Sequence, residues 1–216
     1  LVNTDQPNPT ELFQIWLNLP ARNKMVKPHF TMFWHEDIAQ IHSNDEHGRS
    51  TEVICVAGSL GNARGLPPPP DSWASQSEAD LAIWTIKMQP GARWTLPAAT
   101  GKGTRRMLYY FKGTALTIGD QTVPPSSAVE LSAGVDAELT SGDTVTEILV
   151  LQGRPINEPV AQYGPFVMNT QAEIQQAFAD YRRTEFGGWP WPASDPVHPT
   201  EQGRFAKHAD GRIETR

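Results

Sequence analysis
The stretch Leu81–Gly119, LAIWTIKMQPGARWTLPAATGKGTRRMLYYFKGTALTIG, limits this chain to a narrow set of folds. Leu81, Ile83 and Thr85 alternate with Ala82, Trp84 and Ile86, the two-residue period of a strand. Pro90-Gly91 then marks a turn between apolar runs, and a loop follows. Met107, Tyr109 and Phe111 alternate with Leu108, Tyr110 and Lys112. Gly113 interrupts, and Thr114, Leu116 and Ile118 resume the pattern. Gly119-Asp120 reads as a hairpin turn into Gln121-Thr122-Val123. Antiparallel strands at this spacing predict a small barrel or sandwich, a shape that often holds a metal or small ligand in its mouth.

The rest of the chain fits an all-β reading. Its 216 residues suffice for one large β domain, or one domain with part of another. Nineteen prolines and 17 glycines are dispersed, which signals many turns rather than low complexity. A net charge of −6 argues against the clustered basic face of a nucleic-acid binder. No run of 18 apolar residues is present, so no membrane span is expected, and no signal peptide is expected from the opening residues. The single Cys55, within Val53–Ala57, reads as a small core residue of a cytoplasmic protein. The chain opens at Leu1 on a polar, turn-rich stretch, which reads as the interior of a longer protein.

In chain order, Glu11–Pro20 is expected to be a strand, with Phe13, Ile15, Leu17 and Leu19 on one face and Pro20 at its end. Phe30–Trp34 reads as a short strand, 35–50 as a polar loop and Thr51–Ala57 as a strand. Gly58–Gly65 lacks the Lys-Ser or Lys-Thr of a phosphate loop and reads as a wandering surface loop; ATGKGT at 99–104 fails the same test. Ala128–Ala133, Val135–Leu139 and Val145–Leu151 complete nine or ten strands, and Gly153–Pro165 reads as a loop. Thr170-Gln171-Ala172-Glu173 is a capping box. It opens an amphipathic helix over 170–184, with Ile174, Ala177, Phe178 and Tyr181 in its stripe and Gly187-Gly188 as its stop. The tail from Trp189 is proline-rich and is expected to run irregularly over the surface, anchored by Trp189 and Trp191.

His35, His42 and His47 share one polar loop with Glu36, Asp37, Asp45 and Glu46. Their spacing matches neither HExxH nor the tight zinc patterns, so a solvated acidic loop is the expectation. His29, beside Pro28, reads as structural; His198 and His208 fall in the tail. No G-x-S-x-G elbow is present, which excludes that serine-hydrolase pattern.

ELFQIWLNLP, NKMVKPHF and YGPFVMNT with a helix after it, then GGWPWPASDPVHP and HADGR, occur in the order found in the pirin family. The sequence resembles the bacterial members of that family over essentially its whole length. The resemblance implies two cupin barrels of the jelly-roll type in tandem. It also implies an iron or other divalent metal in the N-terminal barrel, on three histidines and a glutamate drawn from HPHRG-like and H-x-E segments. Neither segment occurs here. The chain therefore resembles the C-terminal part of a pirin. Residues 1–30 would be remnant strands of the N-terminal barrel, 31–168 the C-terminal barrel, and 169–216 the helix and surface tail.

Aligned on Gly91, Gly113, Gly119 and Pro125, the general cupin pattern puts Pro97, Ala99, Arg106 and Glu130 at the ligand positions. Proline and alanine side chains have no lone pair to offer, and arginine is a permanent cation. The expectation is no catalytic, cofactor-binding or metal-binding residue in this chain. Arg106 and Glu130 would face each other across the degenerate site, either as a partly buried ion pair or with one or both turned to solvent. Two functions follow from the resemblance. One is the non-catalytic half of an iron-dependent, quercetinase-type dioxygenase. The other is a regulatory or protein-binding module. In either case the expected partner is the N-terminal cupin, in the same protein or a separate chain, or a second copy burying the strand at Phe13–Leu19. Neither nucleic acid nor membrane is expected as a partner.

Overall fold
The computed structural model describes residues 3, 5–194 and 198–216. The chain divides into two compact units, Met25–Asn157 and Leu1–Lys24 with Glu158–Arg216.

The first of these units is built from strands. In chain order they are β1 (Ala39–Asn44), β2 (Ser50–Ala57), β3 (Ser59–Leu60), β4 (Ala63–Arg64), β5 (Ala82–Met88), β6 (Arg93–Leu96), β7 (Arg105–Lys112), β8 (Leu116–Ile118), β9 (Gln121–Val123), β10 (Ser127–Leu131), β11 (Ala137–Ser141) and β12 (Thr146–Gly153). A six-stranded sheet runs β1-β2-β5-β12-β7-β10 and a four-stranded sheet runs β6-β11-β8-β9, with every pairing antiparallel. The ladders thus form two sheets of a jelly roll rather than one closed cylinder. Both sheets feed one core. Val53, Cys55, Trp84, Ile86, Met88, Leu108, Tyr110, Ile148 and Val150 come from the larger sheet, and Leu96, Leu116, Val123 and Leu139 from the smaller.

The alternation read from the sequence selects the inward face. Ala82, Trp84, Ile86 and Met88 are buried on β5, and Arg106, Leu108 and Tyr110 on β7. Cys55 is fully buried, and burial pushes its thiol pKa up, as for an inert core residue. The region 35–50 is not all loop: β1 pairs along β2 from Ala39↔Cys55 to Asn44↔Ser50. Gly58–Gly65 is a tight β3–β4 hairpin, not a wandering loop. Gly58 is required there. Its φ is +80°, and a Cβ would lie 2.2 Å from the Leu81 carbonyl oxygen. Phe30–Trp34 joins no ladder among the described residues; Trp34 is buried and a 3-10 turn, His35–Asp37, follows.

In the other unit, Glu11–Pro20 belongs to no strand or helix. Alternation gives it strand character, but a strand exists only against a partner ladder, and among the described residues none runs beside it. Leu12 and Trp16 are 82% and 65% exposed. The segment ends in order: Pro20 is buried, and the Ala21 amide donates to Glu158 Oε2 at 2.6 Å.

The stretch before the helix, expected to be a loop, holds a hairpin, β13 (Ala161–Tyr163) and β14 (Phe166–Met168), turning at Gly164. The helix α1 (Gln171–Thr184) is capped as its sequence predicts. Thr170 Oγ1 accepts from the Glu173 amide, and Glu173 Oε2 accepts from the Thr170 and Asn169 amides. Ile174 and Ala177 are buried, and Phe178 packs edge-on to Phe166 at 4.7 Å. Glu185, in a left-handed conformation, ends the helix just ahead of Gly187-Gly188.

The tail is more regular than its prolines imply: β15 (Phe205–Lys207) and β16 (Ile213–Thr215) form a hairpin. Trp189 is 55% exposed and packs on Trp191 at 4.6 Å, a local pair rather than a buried anchor. Part of the SDPVHP stretch, residues 195–197, lies outside the described residues. Among the described residues, no helix is long and apolar enough to cross a membrane.

Candidate functional site
Arg106 stands on the inward face of β7 and is 1% exposed. A guanidinium at that depth must find acceptors for its N–H groups. Nε donates to Gln152 Oε1 at 2.9 Å, Nη2 donates to the same oxygen, and Nη1 donates to the Pro97 carbonyl at 2.8 Å. Gln152 is the β12 residue paired with Arg106 in register, so the contact follows from the sheet. The Gln152 amide Nε2 in turn donates to the Asp80 carbonyl at 3.0 Å. Burial lowers the Arg106 pKa from its ordinary value, and the carboxylates of Asp80 and Asp136 work against that.

Asp80 organises the rim of the site. It holds a left-handed backbone, φ +43° and ψ +41°, at the end of the 3-10 turn Ser77–Ala79. Its carboxylate accepts from the Gly101 amide at 2.8 Å, Thr104 Oγ1 at 2.6 Å and Thr100 Oγ1 at 3.4 Å. Gly101 is needed for that approach, since a Cβ there would sit 2.7 Å from Asp80 Oδ2. The segment behind β6 is held by two backbone amides. The Ala98 amide donates to Asp136 Oδ1 at 2.7 Å, and the Ala99 amide donates to the Ala133 carbonyl at 2.6 Å. These contacts are all made within one unit, Met25–Asn157.

Of the four positions singled out in the sequence, Pro97 contributes its carbonyl, Ala99 its amide and Arg106 its guanidinium. Glu130 lies elsewhere: of the two readings, the Arg106–Glu130 pair is not formed and Glu130 turns to solvent. Glu130 pairs instead with Arg105, whose Nη2 and Nε donate to Oε1 at 2.7 and 3.0 Å on the exposed face. The register explains the correction. Leu131 is opposite Arg106 and Glu130 is opposite Met107, so Glu130 points away from the core. The alternation of SAVEL carries that signal. Sequence reasoning missed Gln152 and Asp80, although Gln152 is a polar residue on the otherwise apolar inward face of β12 beyond Thr146.

A cleft of about 440 Å³ opens beside this network, lined by Gln152 and Asp80 with Ser59, Leu66, Pro67 and Thr100 among others. In the other unit, a groove of about 700 Å³ runs along Trp16, Leu17, Lys24, Val160 and Val167.

The histidine loop does not converge. His35 meets Gln40 at 3.3 Å, His42 meets Glu52 at 3.7 Å and His47 meets Glu46 at 3.4 Å. Asp45 is turned to the backbone instead. It accepts from the amides of His47, Arg49 and Arg93 and from Arg49 Nε at 2.7 Å. Desolvation pulls its pKa up, but these donors together hold it well below the usual carboxylate range. Among the described residues, no group of three or more His, Cys, Asp or Glu side chains is placed to hold a metal ion. His29 is exposed, not structural; His198 packs edge-on to Phe205 at 4.7 Å, and His208 is buried between Glu214 and Arg212.

The model of the pirin C-terminal cupin domain matches residues 83–187, the stretch that holds Arg106, Gln152 and α1. A pirin-like protein of Caulobacter vibrioides is 32% identical over 81% of this chain and 58% of its own length. Human pirin is 29% identical over 83% of this chain and 58% of its own. The chain thus spans little more than half the length of these relatives. A crystal structure of quercetin 2,3-dioxygenase from Acinetobacter baumannii superposes with a TM-score of 0.65 at 32% identity, covering 80% of this chain and 55% of that one. With the domain match and these likenesses falling on the same fold, this chain belongs to the pirin family and carries its C-terminal cupin domain.

Proposed function
We propose that this chain is the metal-free C-terminal cupin half of a pirin-like protein whose intact form is an iron-dependent dioxygenase of the quercetinase type. The observation that carries the first part is the buried guanidinium of Arg106 at a cupin ligand position. The residues there do not fit a divalent ion. Pro97 and Ala99 offer no side-chain donor, and Arg106 brings a fixed positive charge into the site. The likeness to the Acinetobacter dioxygenase supports the second part. On this reading the iron belongs to an N-terminal cupin, in the same protein or a separate chain, and a cytoplasmic setting suits the one buried thiol.

The test compares two proteins, the chain of 216 residues and an intact protein that includes an N-terminal cupin. Metal analysis and oxygen uptake with quercetin are measured on both. The expected result is iron and turnover in the intact protein, and neither in the shorter chain. Stoichiometric iron in the shorter chain, or no flavonol turnover by the iron-loaded intact protein, overturns the corresponding part of the reading.

The unladdered segment 11–19 favours a second reading, a protein-binding or regulatory module. Its exposed Leu12 and Trp16 are covered, on this reading, by a partner protein, a second copy or the N-terminal cupin. A full-length protein that binds iron without oxygen uptake, yet associates through this segment, would favour it.

A further inference from the structure
A buried cation is ordinarily in direct contact with an anion, whereas Arg106 has the Asp80 and Asp136 carboxylates acting on its charge without touching it. It makes no ion pair among the described residues, and each acceptor it reaches is neutral: the Gln152 side-chain amide and the Pro97 carbonyl. Gln152 Oε1 receives both Nε and Nη2, the edge of the guanidinium that a carboxylate engages with two oxygens. Gln152 lines the cleft and Arg106 itself does not, so a ligand reaches that edge only past Gln152. The carboxylate in the lining, Asp80, is already engaged by Gly101, Thr104 and Thr100.

We propose that this cleft binds a small organic carboxylate, which takes the Nε and Nη2 edge of Arg106 by displacing Gln152 Oε1. The walls define the rest of the ligand. Ala57, Leu66, Pro67 and Leu81 give an apolar part to a lining that is otherwise polar, with Arg64 as a second cation for the acid, and a volume of about 440 Å³ suits an acid with a single ring or a short chain. The freed Gln152 amide can donate to the bound carboxylate. The site needs no metal and stands whether or not the intact protein is a dioxygenase.

The probe is sodium benzoate, titrated into the chain of 216 residues at constant ionic strength. Binding is read by calorimetry and by the ¹⁵N–¹H resonance of Arg106 Nε. A saturable shift of that resonance is expected. Gln152→Ala removes the competing oxygen and should tighten binding several-fold. Gln152→Glu gives the guanidinium an internal carboxylate and should weaken binding at least about tenfold, a change of about 1.4 kcal/mol. No saturable response in either the parent or Gln152→Ala overturns the proposal. So does benzoate affinity that Gln152→Glu leaves unchanged, which would place the ligand elsewhere. A response to inorganic phosphate but not to benzoate overturns the carboxylate assignment. Parent and Gln152→Ala suffice for the test if Gln152→Glu does not fold.

Discussion
At the scale of single residues, Arg106 and Asp45 solve the same problem with opposite charges. Each fixes a loop to the sheet by satisfying several partners at once. Replacing Arg106 by Met keeps much of the volume but leaves Gln152 Oε1 and the Pro97 carbonyl without their donor. Two such losses should cost about 2 kcal/mol in a urea titration. Asp45→Asn should lower the melting temperature at neutral pH, because the amide cannot accept from all the donors that the carboxylate meets. The sign of its pH dependence follows from a depressed folded-state pKa. Its stabilisation is present above the unfolded value of about 3.9 and is lost as pH falls below it. Melting curves across acid pH should therefore converge for the parent and Asp45→Asn. Gly58→Ala meets both a positive φ and the Leu81 carbonyl, so it should unfold the protein at lower urea, by about 3 kcal/mol or more.

At the scale of elements, local signals were legible and partner-dependent ones were not. The capping box was readable from Thr170 and Glu173 alone because both of its bonds are made within four residues. Thr170→Ala should cost about 1 kcal/mol and reduce the helical circular-dichroism signal. Glu11–Pro20 shows the other case. Its alternation was real, but pairing depends on chain elsewhere, so the pattern alone could not settle whether a ladder forms. The β15–β16 hairpin was hidden by the prolines before it, although Asp210-Gly211 is a turn signal at the right place. The aromatic set Phe166, Phe178, Tyr181 and Phe186 joins β14 to α1 and its end. A sequence shows each ring but not their meeting. Phe178→Ala should loosen this set, read as loss of near-ultraviolet dichroism with the far-ultraviolet signal retained.

At the scale of the whole molecule, the jelly roll was legible because its strands repeat one simple period and its turns carry glycine or proline. The candidate site was legible only in part. Composition at Pro97, Ala99 and Arg106 showed what the site could not hold, whereas Gln152 and Asp80 come to it from positions 72 residues apart. That same separation reflects the place of β12, between β5 and β7 in the larger sheet. During synthesis from the N-terminus, β5 and β7 emerge well before the strand that joins them. The nascent sheet stays divided until residue 153 has left the ribosome, some seconds later at about 5–20 residues per second. A chain arrested before Thr146 should be cut readily by protease across 82–112, and one with β12 fully emerged should resist. Translation speed through 113–153 thus sets how long these apolar strands remain available to chaperones, or to each other.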